Sequence, residues 1–203
     1  MATVTTPTWP DLARPLLAPS PDGRARFSRE AYQRMYESGG FGSHARVELL
    51  NGEIVMMSPI GPEHVAIVSI LTDFFTKRLP ETLQCRVQAP VVLSNHSEPE
   101  PDFVIVRRRT DNYRHEHPSL GNILLIVEVA QSSRQRDLDS KRRVYALSEI
   151  SEYWVVDVDE RSIVIHRDPA QGDYHTIESM NVGRTVAPLC APDCHFPSAS
   201  LFE

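Results

Sequence analysis

The chain reads as an α/β protein, a mixed β-sheet flanked by helices, with an N-terminal hairpin. Three observations predict this. An Asn51-Gly52 pair sits between two apolar runs, the signal of a two-residue hairpin. Two segments, one after Pro62 and one from Asp137 to Glu149, repeat apolar residues at helical spacing. Between and after them lie short runs rich in Val, Ile and aromatic residues, the composition of strands. The resulting order, hairpin, helix, strands, helix, strands, is that of a sheet covered by helices.

The elements follow in chain order. Residues 1–27, rich in Pro, Thr and Ala, read as a flexible N-terminal arm, and residues 28–203 as one domain. Ser28 caps a helix that runs to about Ser38, where Gly39, Gly40 and Gly42 break the chain. Arg46 to Met57 forms the hairpin around Asn51-Gly52. Pro62 suits the first turn of a helix. Val65, Val68, Leu71, Phe75 and Leu79 carry that helix to about Arg78, and Pro80 ends it. Strands are expected over Cys85–Leu93, Asp102–Arg107 and Ile123–Val129. The third is apolar on both parities, as in a strand covered on both faces. Tyr153–Val158 and Ser162–Arg167 form a second hairpin about Asp159-Glu160-Arg161. From Tyr174 onward a short strand and Pro-rich coil are expected.

Composition bounds the function. Of 203 residues, 41% are hydrophobic and 24% charged, ordinary for a globular protein. No run of eighteen apolar residues and no leader of basic then apolar residues occurs, so neither a membrane span nor a secretory signal is expected. Three cysteines, Cys85, Cys190 and Cys194, fit a reducing, cytoplasmic setting better than a disulfide framework. The net charge of −6 argues against coating nucleic acid by charge alone. It leaves room for an enzyme with a local basic rim.

Two acids stand out because apolar strands carry them. Asp102 opens Phe103-Val-Ile-Val106. Glu128 sits inside Ile123-Leu-Leu-Ile-Val-Glu-Val-Ala130, where alternation places it on one face with Leu124, Ile126 and Ala130. A carboxylate among apolar neighbours is costly unless a cation or several donors compensate it. A hard divalent ion shared by the two would do so. Taken alone, Asp102 also reads as a strand-start residue bonded to backbone amides. Glu128 reads equally as an acid paired with an arginine such as Arg134.

Lys141 supplies a third element. Leu138, Lys141, Val144, Tyr145 and Ser148 share one helical stripe, so Lys141 points toward the sheet. There it would neutralise developing charge and orient an attacking water. A lysine whose stem packs while its ammonium reaches solvent is the alternative. Asp137, four residues earlier, would pair with Lys141 or cap the helix. Glu48, in the first hairpin strand, would complete a metal site or sit in solvent. His64 would contact a phosphate or pack as an ordinary histidine. Arg107, Arg108, Arg109 and Arg114, and Arg134, Arg136, Arg142 and Arg143, form two basic clusters that would hold phosphates beside the metal or face solvent. No Gly-rich phosphate loop and no Gly-x-Ser-x-Gly elbow occurs. Cys190, Cys194 and His195 are too loosely spaced for a zinc site.

The combination of Pro101-Asp102, Glu128-Val129-Ala130 and Lys141 resembles the PD-(D/E)XK nuclease superfamily, and more narrowly the Uma-type restriction-endonuclease family. Three stretches carry the resemblance: Glu48 to Pro59 with His64 after it; Pro101 to Val106; and Ile126 to Ser133, through Asp137, Lys141 and Tyr145, to Glu152-Tyr-Trp-Val-Val-Asp157. The resemblance implies a restriction-endonuclease-like core, Mg²⁺ with Mn²⁺ as a substitute, and phosphodiester hydrolysis in DNA. It implies that Asp102 and Glu128 bind the metal and Lys141 serves the attacking water. Glu48 is similar to an acid that the family carries near its start. Ala130 departs from the broad superfamily pattern, because it stands where a Glu-x-Lys motif would place lysine. In Uma-like sequences the lysine comes from the following helix, the place of Lys141. A homodimer with paired sites would suit cutting two strands. A non-catalytic nucleic-acid or protein interaction module on the same fold is the rival reading, and an enzyme for another phosphate ester a third.

Overall fold

The computed structural model describes residues 23–42, 45–131 and 133–203 and the backbone of 17–19. Most of the expected arm, 1–27, lies outside the described residues. Within it, β1 (Leu17–Pro19) and β2 (Ala25–Phe27) pair as a small antiparallel ribbon. Helix α1 (Arg29–Glu37) starts where expected, with Ser28 Oγ accepting from the Ala31 N–H at 3.2 Å. That bond satisfies one of the amides every helix start leaves free.

The hairpin forms as β3 (Val47–Leu50) and β4 (Glu53–Met56). Its turn has Asn51 at φ 49° and Gly52 at φ 78°, the left-handed pair that lets tight turns match strand twist. A side chain at Gly52 would also run into Arg26, so glycine is required there twice over. Helix α2 (Pro62–Arg78) has Pro62 in its first turn. Its buried stripe is Ile67, Val68, Leu71 and Phe75, whereas Val65, expected inside, is half exposed.

Six strands build the main sheet: β5 (Leu83–Val87), β6 (Phe103–Arg107), β7 (Ile123–Ala130), β8 (Glu152–Asp157), β9 (Ser162–Ala170) and β10 (Asp173–Asn181). Their order is β10-β9-β8-β7-β6-β5. Only β7 and β8 are parallel. A parallel pair needs a crossover, and the helical segment 136–147 supplies it. Its first turns, Arg136–Lys141, are π-helical, and α3 (Arg142–Leu147) continues them. Beyond β10, β11 (Thr185–Val186) and β12 (Phe196–Pro197) make a second ribbon.

The sheet is covered on both faces. On one, α2 sets Leu71 and Phe75 against Phe103, Val127, Trp154 and the tail residue Phe196. On the other, Val144 and Tyr145 pack over Val104, Ile126, Tyr153 and Tyr174. Burying each such side chain contributes about 1.5–3 kcal/mol. Strand β7 therefore lies buried on both sides, as its composition predicts. Among the described residues no helix is long and apolar enough to cross a membrane.

Four details differ from expectation. The strand over Cys85–Leu93 is only Leu83–Val87, because Gln88 turns left-handed (φ 44°) and Pro90 cannot donate to a ladder. The tail strand is not short: β10 runs nine residues along β9. Leu124 does not share the face of Glu128. The β6–β7 register slips between Ile105 and Val106, and such a bulge turns the residues beyond it to the opposite face. Leu124 thus packs with the α2 face, leaving Glu128 with Ile126 and Ala130. The crossover helix, expected over 137–149, opens with π-helical turns and ends at Leu147.

Candidate active site

Strand pairing brings the two acids together. Phe103 lies opposite Val127 in the antiparallel β6–β7 register, so Asp102, one residue earlier, comes beside Glu128. Asp102 Oδ2 accepts from the Val129 N–H at 2.8 Å. The expected backbone-bonded strand-start acid is thus present, and it adjoins the second acid as well. From α2, His64 Nε2 reaches Asp102 Oδ1 at 3.0 Å.

The crossover helix delivers the cation. Lys141 Nζ donates to Glu128 Oε1 at 2.8 Å and lies 3.2 Å from Glu48 Oε1. Its ammonium does not snorkel to solvent: Lys141 is 4% exposed, Glu128 3% and Glu48 1%. One turn on, the Tyr145 hydroxyl donates to the same Glu128 Oε1 at 2.7 Å. Glu48 Oε2 accepts from the Glu100 N–H at 3.2 Å. Glu48 is therefore a buried member of the cluster, not a solvated hairpin acid. Glu128 does not pair with Arg134, which binds Asp157 instead.

Charge does not balance in this cluster. Burial pushes the Glu128 carboxyl well above the usual carboxylate range, and Asp102, Asp137 and Glu48 push it further, against the pull of Lys141. Burial opposes the charge on Lys141, but Glu128, Glu48 and Asp137 outweigh it and hold the ammonium protonated above its ordinary range. Asp137 is raised to about 6, chiefly by burial. It accepts from Ser133 Oγ rather than bonding Lys141. The pocket formed by these groups has a volume of about 50 Å³ and includes Ser58, Gly61, His64, Gln131 and Arg136 in its wall.

These shifts give a pH prediction. A carboxyl with a folded pKa above its unfolded value stabilises fully below the unfolded value, about 3.8, and loses that contribution as pH rises through about 6. In metal-free protein the Asp137 contribution should therefore be present at pH 4 and gone by pH 8, and a variant at that position isolates it from His166, whose pKa burial lowers to about 4 and whose contribution runs the other way. Asp137→Asn, which keeps an acceptor for Ser133, should raise the pH 8 melting temperature by a few degrees and leave pH 4 unchanged. Equal melting of the two proteins at pH 8 would refute a strained Asp137.

The same imbalance tests the site against a divalent cation. Four carboxylates face one lysine, so an added hard cation relieves the crowd. His64 Nδ1 is buried on the pocket wall with no hydrogen-bond partner among the described residues, a polar atom that calls for a water or ligand. The hard carboxylate oxygens of Asp102 and Glu128 are the kind of donors that would hold a divalent cation such as Mg²⁺ or Mn²⁺. Among the described residues no three His, Cys, Asp or Glu side chains already form a cage, so such an ion would rest on two carboxylates and water.

The basic clusters divide. Arg107, Arg108 and Arg109 do not flank the acids: Arg107 ends β6, roughly 17 Å from Asp102 at 3.3 Å per residue, and the other two follow it. Arg108 there binds the Glu81 and Leu83 carbonyls, and Arg109 binds Asp111 and Glu116. In the second cluster Arg142 pairs with Asp173 and Arg143 with Asp139. Arg136 alone of the eight lies on the pocket wall, makes no ion pair among the described residues and donates to the Met56 carbonyl at 3.0 Å. Three contacts lie beyond the sequence expectations: His64 on Asp102 and Glu48 on Lys141, which join elements far apart in the chain, and Tyr145 on Glu128. The last had a signal, since Tyr145 stands four residues after Lys141 on the same stripe.

A six-stranded mixed sheet between helix layers, with β7 and β8 as its parallel pair, defines an α/β fold. It is shared with a crystal structure described as "a putative nuclease belonging to DUF820 from Anabaena variabilis ATCC 29413": TM-score 0.66, 16% identity, 79% of this chain and 91% of that chain covered. The chain belongs to the Uma2 family, described as "Putative restriction endonuclease", whose model matches residues 29–197. No curated protein matches it.

Proposed function

We propose that this protein is a metal-dependent nuclease that hydrolyses phosphodiester bonds in DNA. One observation carries the reading: Asp102 and Glu128 meet on adjacent strands, and buried Lys141 stands 2.8 Å from Glu128. Mg²⁺ or Mn²⁺ held by Asp102 and Glu128 would supply charge stabilisation at the phosphoryl oxygens. Lys141 orients the attacking water and stabilises developing negative charge, while Glu48 holds its ammonium from the other side. His64 and the Val129 N–H fix the Asp102 carboxylate. Arg136 receives the phosphate at the pocket mouth, its charge uncommitted to any acid among the described residues.

The test is cleavage of plasmid and single-stranded DNA with Mg²⁺ or Mn²⁺. Arg136→Ala should raise KM roughly tenfold, the loss of one charge-assisted contact of about 1.4 kcal/mol. An unchanged KM removes Arg136 from the substrate site. Protein that binds the cation yet cuts no phosphodiester overturns the nuclease reading. The rival, a non-catalytic interaction module, is favoured by the acidic net charge of −6, and it needs no divalent affinity at all.

A further inference from the structure

Glu128 carries two donors on one oxygen. Lys141 Nζ and the Tyr145 hydroxyl both bind Oε1, at 2.8 and 2.7 Å, while Oε2 makes no hydrogen bond among the described residues. A carboxylate oxygen has room for two such donors, so Oε1 is filled. The end group of a glutamate otherwise turns freely, because its last torsion is broad and two-fold. Lys141 alone does not stop this, since its ammonium is shared with Glu48.

Tyr145 is packed into the core. Its ring is fully buried and lies 4.8 Å from that of Tyr153. Tyr153 in turn stacks on His166 and donates its hydroxyl to the Asp137 carbonyl at 2.9 Å. The Tyr145 hydroxyl is therefore a fixed point projecting from the core onto the acid.

We propose that Tyr145 is a positioning residue: by occupying Oε1 it locks the Glu128 carboxylate and leaves Oε2 as the oxygen that takes the divalent cation. The inference rests on the reading of Glu128 as a cation ligand. Outer groups that orient a ligand of this kind are worth about ten- to a hundredfold in metal affinity.

The test is Mn²⁺ affinity, measured by titration calorimetry on the wild type, Tyr145→Phe and Tyr153→Phe, with circular dichroism to verify folding. Phe keeps the ring and removes only the donor. Tyr145→Phe should bind Mn²⁺ about ten- to a hundredfold more weakly, and Tyr153→Phe within threefold of the wild type, on the order of what loosening alone would do. Unchanged affinity in Tyr145→Phe would make the tyrosine a core filler and overturn the inference. An equal loss in Tyr153→Phe would overturn it too, because the effect would then be general loosening. No Mn²⁺ binding by the wild type would sink the reading of Glu128 together with the inference, whereas binding unaffected by Tyr145→Phe sinks the inference alone. If Tyr145→Phe fails to fold, infrared difference spectra of wild-type protein carrying ¹³C-labelled glutamate decide. A widened splitting of the labelled carboxylate stretches on adding Mn²⁺ shows one-oxygen binding, and a narrowed one, both oxygens on the ion, overturns it.

Discussion

Asp102→Ala should lower divalent-dependent DNA cleavage by about a hundred- to a thousandfold, the scale of losing a group that organises transition-state charge, and should leave the protein folded. Asp102 sits just before β6 at the edge of the pocket, so its removal opens no hole in either core layer. The Val129 N–H loses its acceptor, a cost of about 1–2 kcal/mol. Against this, one of the acids that crowd Glu128 is gone. The two effects oppose each other, and melting should shift little. Asp102→Asn separates charge from shape, because it keeps an acceptor for Val129 yet should be as inactive as the alanine variant. Cleavage retained by either variant with a normal melting curve would remove Asp102 from the mechanism.

Lys141→Met should destabilise the metal-free protein by about 3–5 kcal/mol at pH 8, the cost of stripping a buried ion pair of one partner. Methionine fills the volume of the lysine stem, so the loss is electrostatic. Glu128 and Glu48 then lie buried beside Asp137 with no ammonium among them. Glu128 and Asp137 escape the penalty by taking up protons. The defect should therefore shrink as pH falls to 5, and added Mn²⁺ should restore part of the stability by binding the folded state alone. Thermal unfolding at pH 5 and pH 8, with and without Mn²⁺, reads all three effects. A variant as stable as the wild type at pH 8 would show that Lys141 is not the counterweight of the acid cluster.

The sequence by itself determined the local elements, because their causes are local. Ser28 caps the helix that follows it. Asn51-Gly52 adopts the two left-handed conformations that few other residues accept. Pro62 starts α2, and the chain before Pro80 becomes extended. The apolar run of β7, interrupted by Glu128 alone, marks a strand with both faces covered. The partly buried Asp102, the buried Glu128 and the inward lysine were legible for the same reason, since a charge on an apolar strand or stripe is conspicuous.

Only the tertiary structure decided what depends on pairing between distant segments. The β6–β7 register sets Asp102 beside Glu128, and its bulge turns Leu124 away from them. No periodicity within β7 records that slip, which belongs to the partner strand as much as to itself. The contacts of His64 with Asp102 and of Glu48 with Lys141 join residues 38 and 93 positions apart, too far for any spacing rule. The arginine clusters show the limit most plainly. Both follow strands that carry the acids, yet one lies at the far end of β6 and of the other only Arg136 reaches the pocket wall. Chain proximity carries no direction until the strands have paired, and the direction of β6 is what separates Arg107 from Asp102.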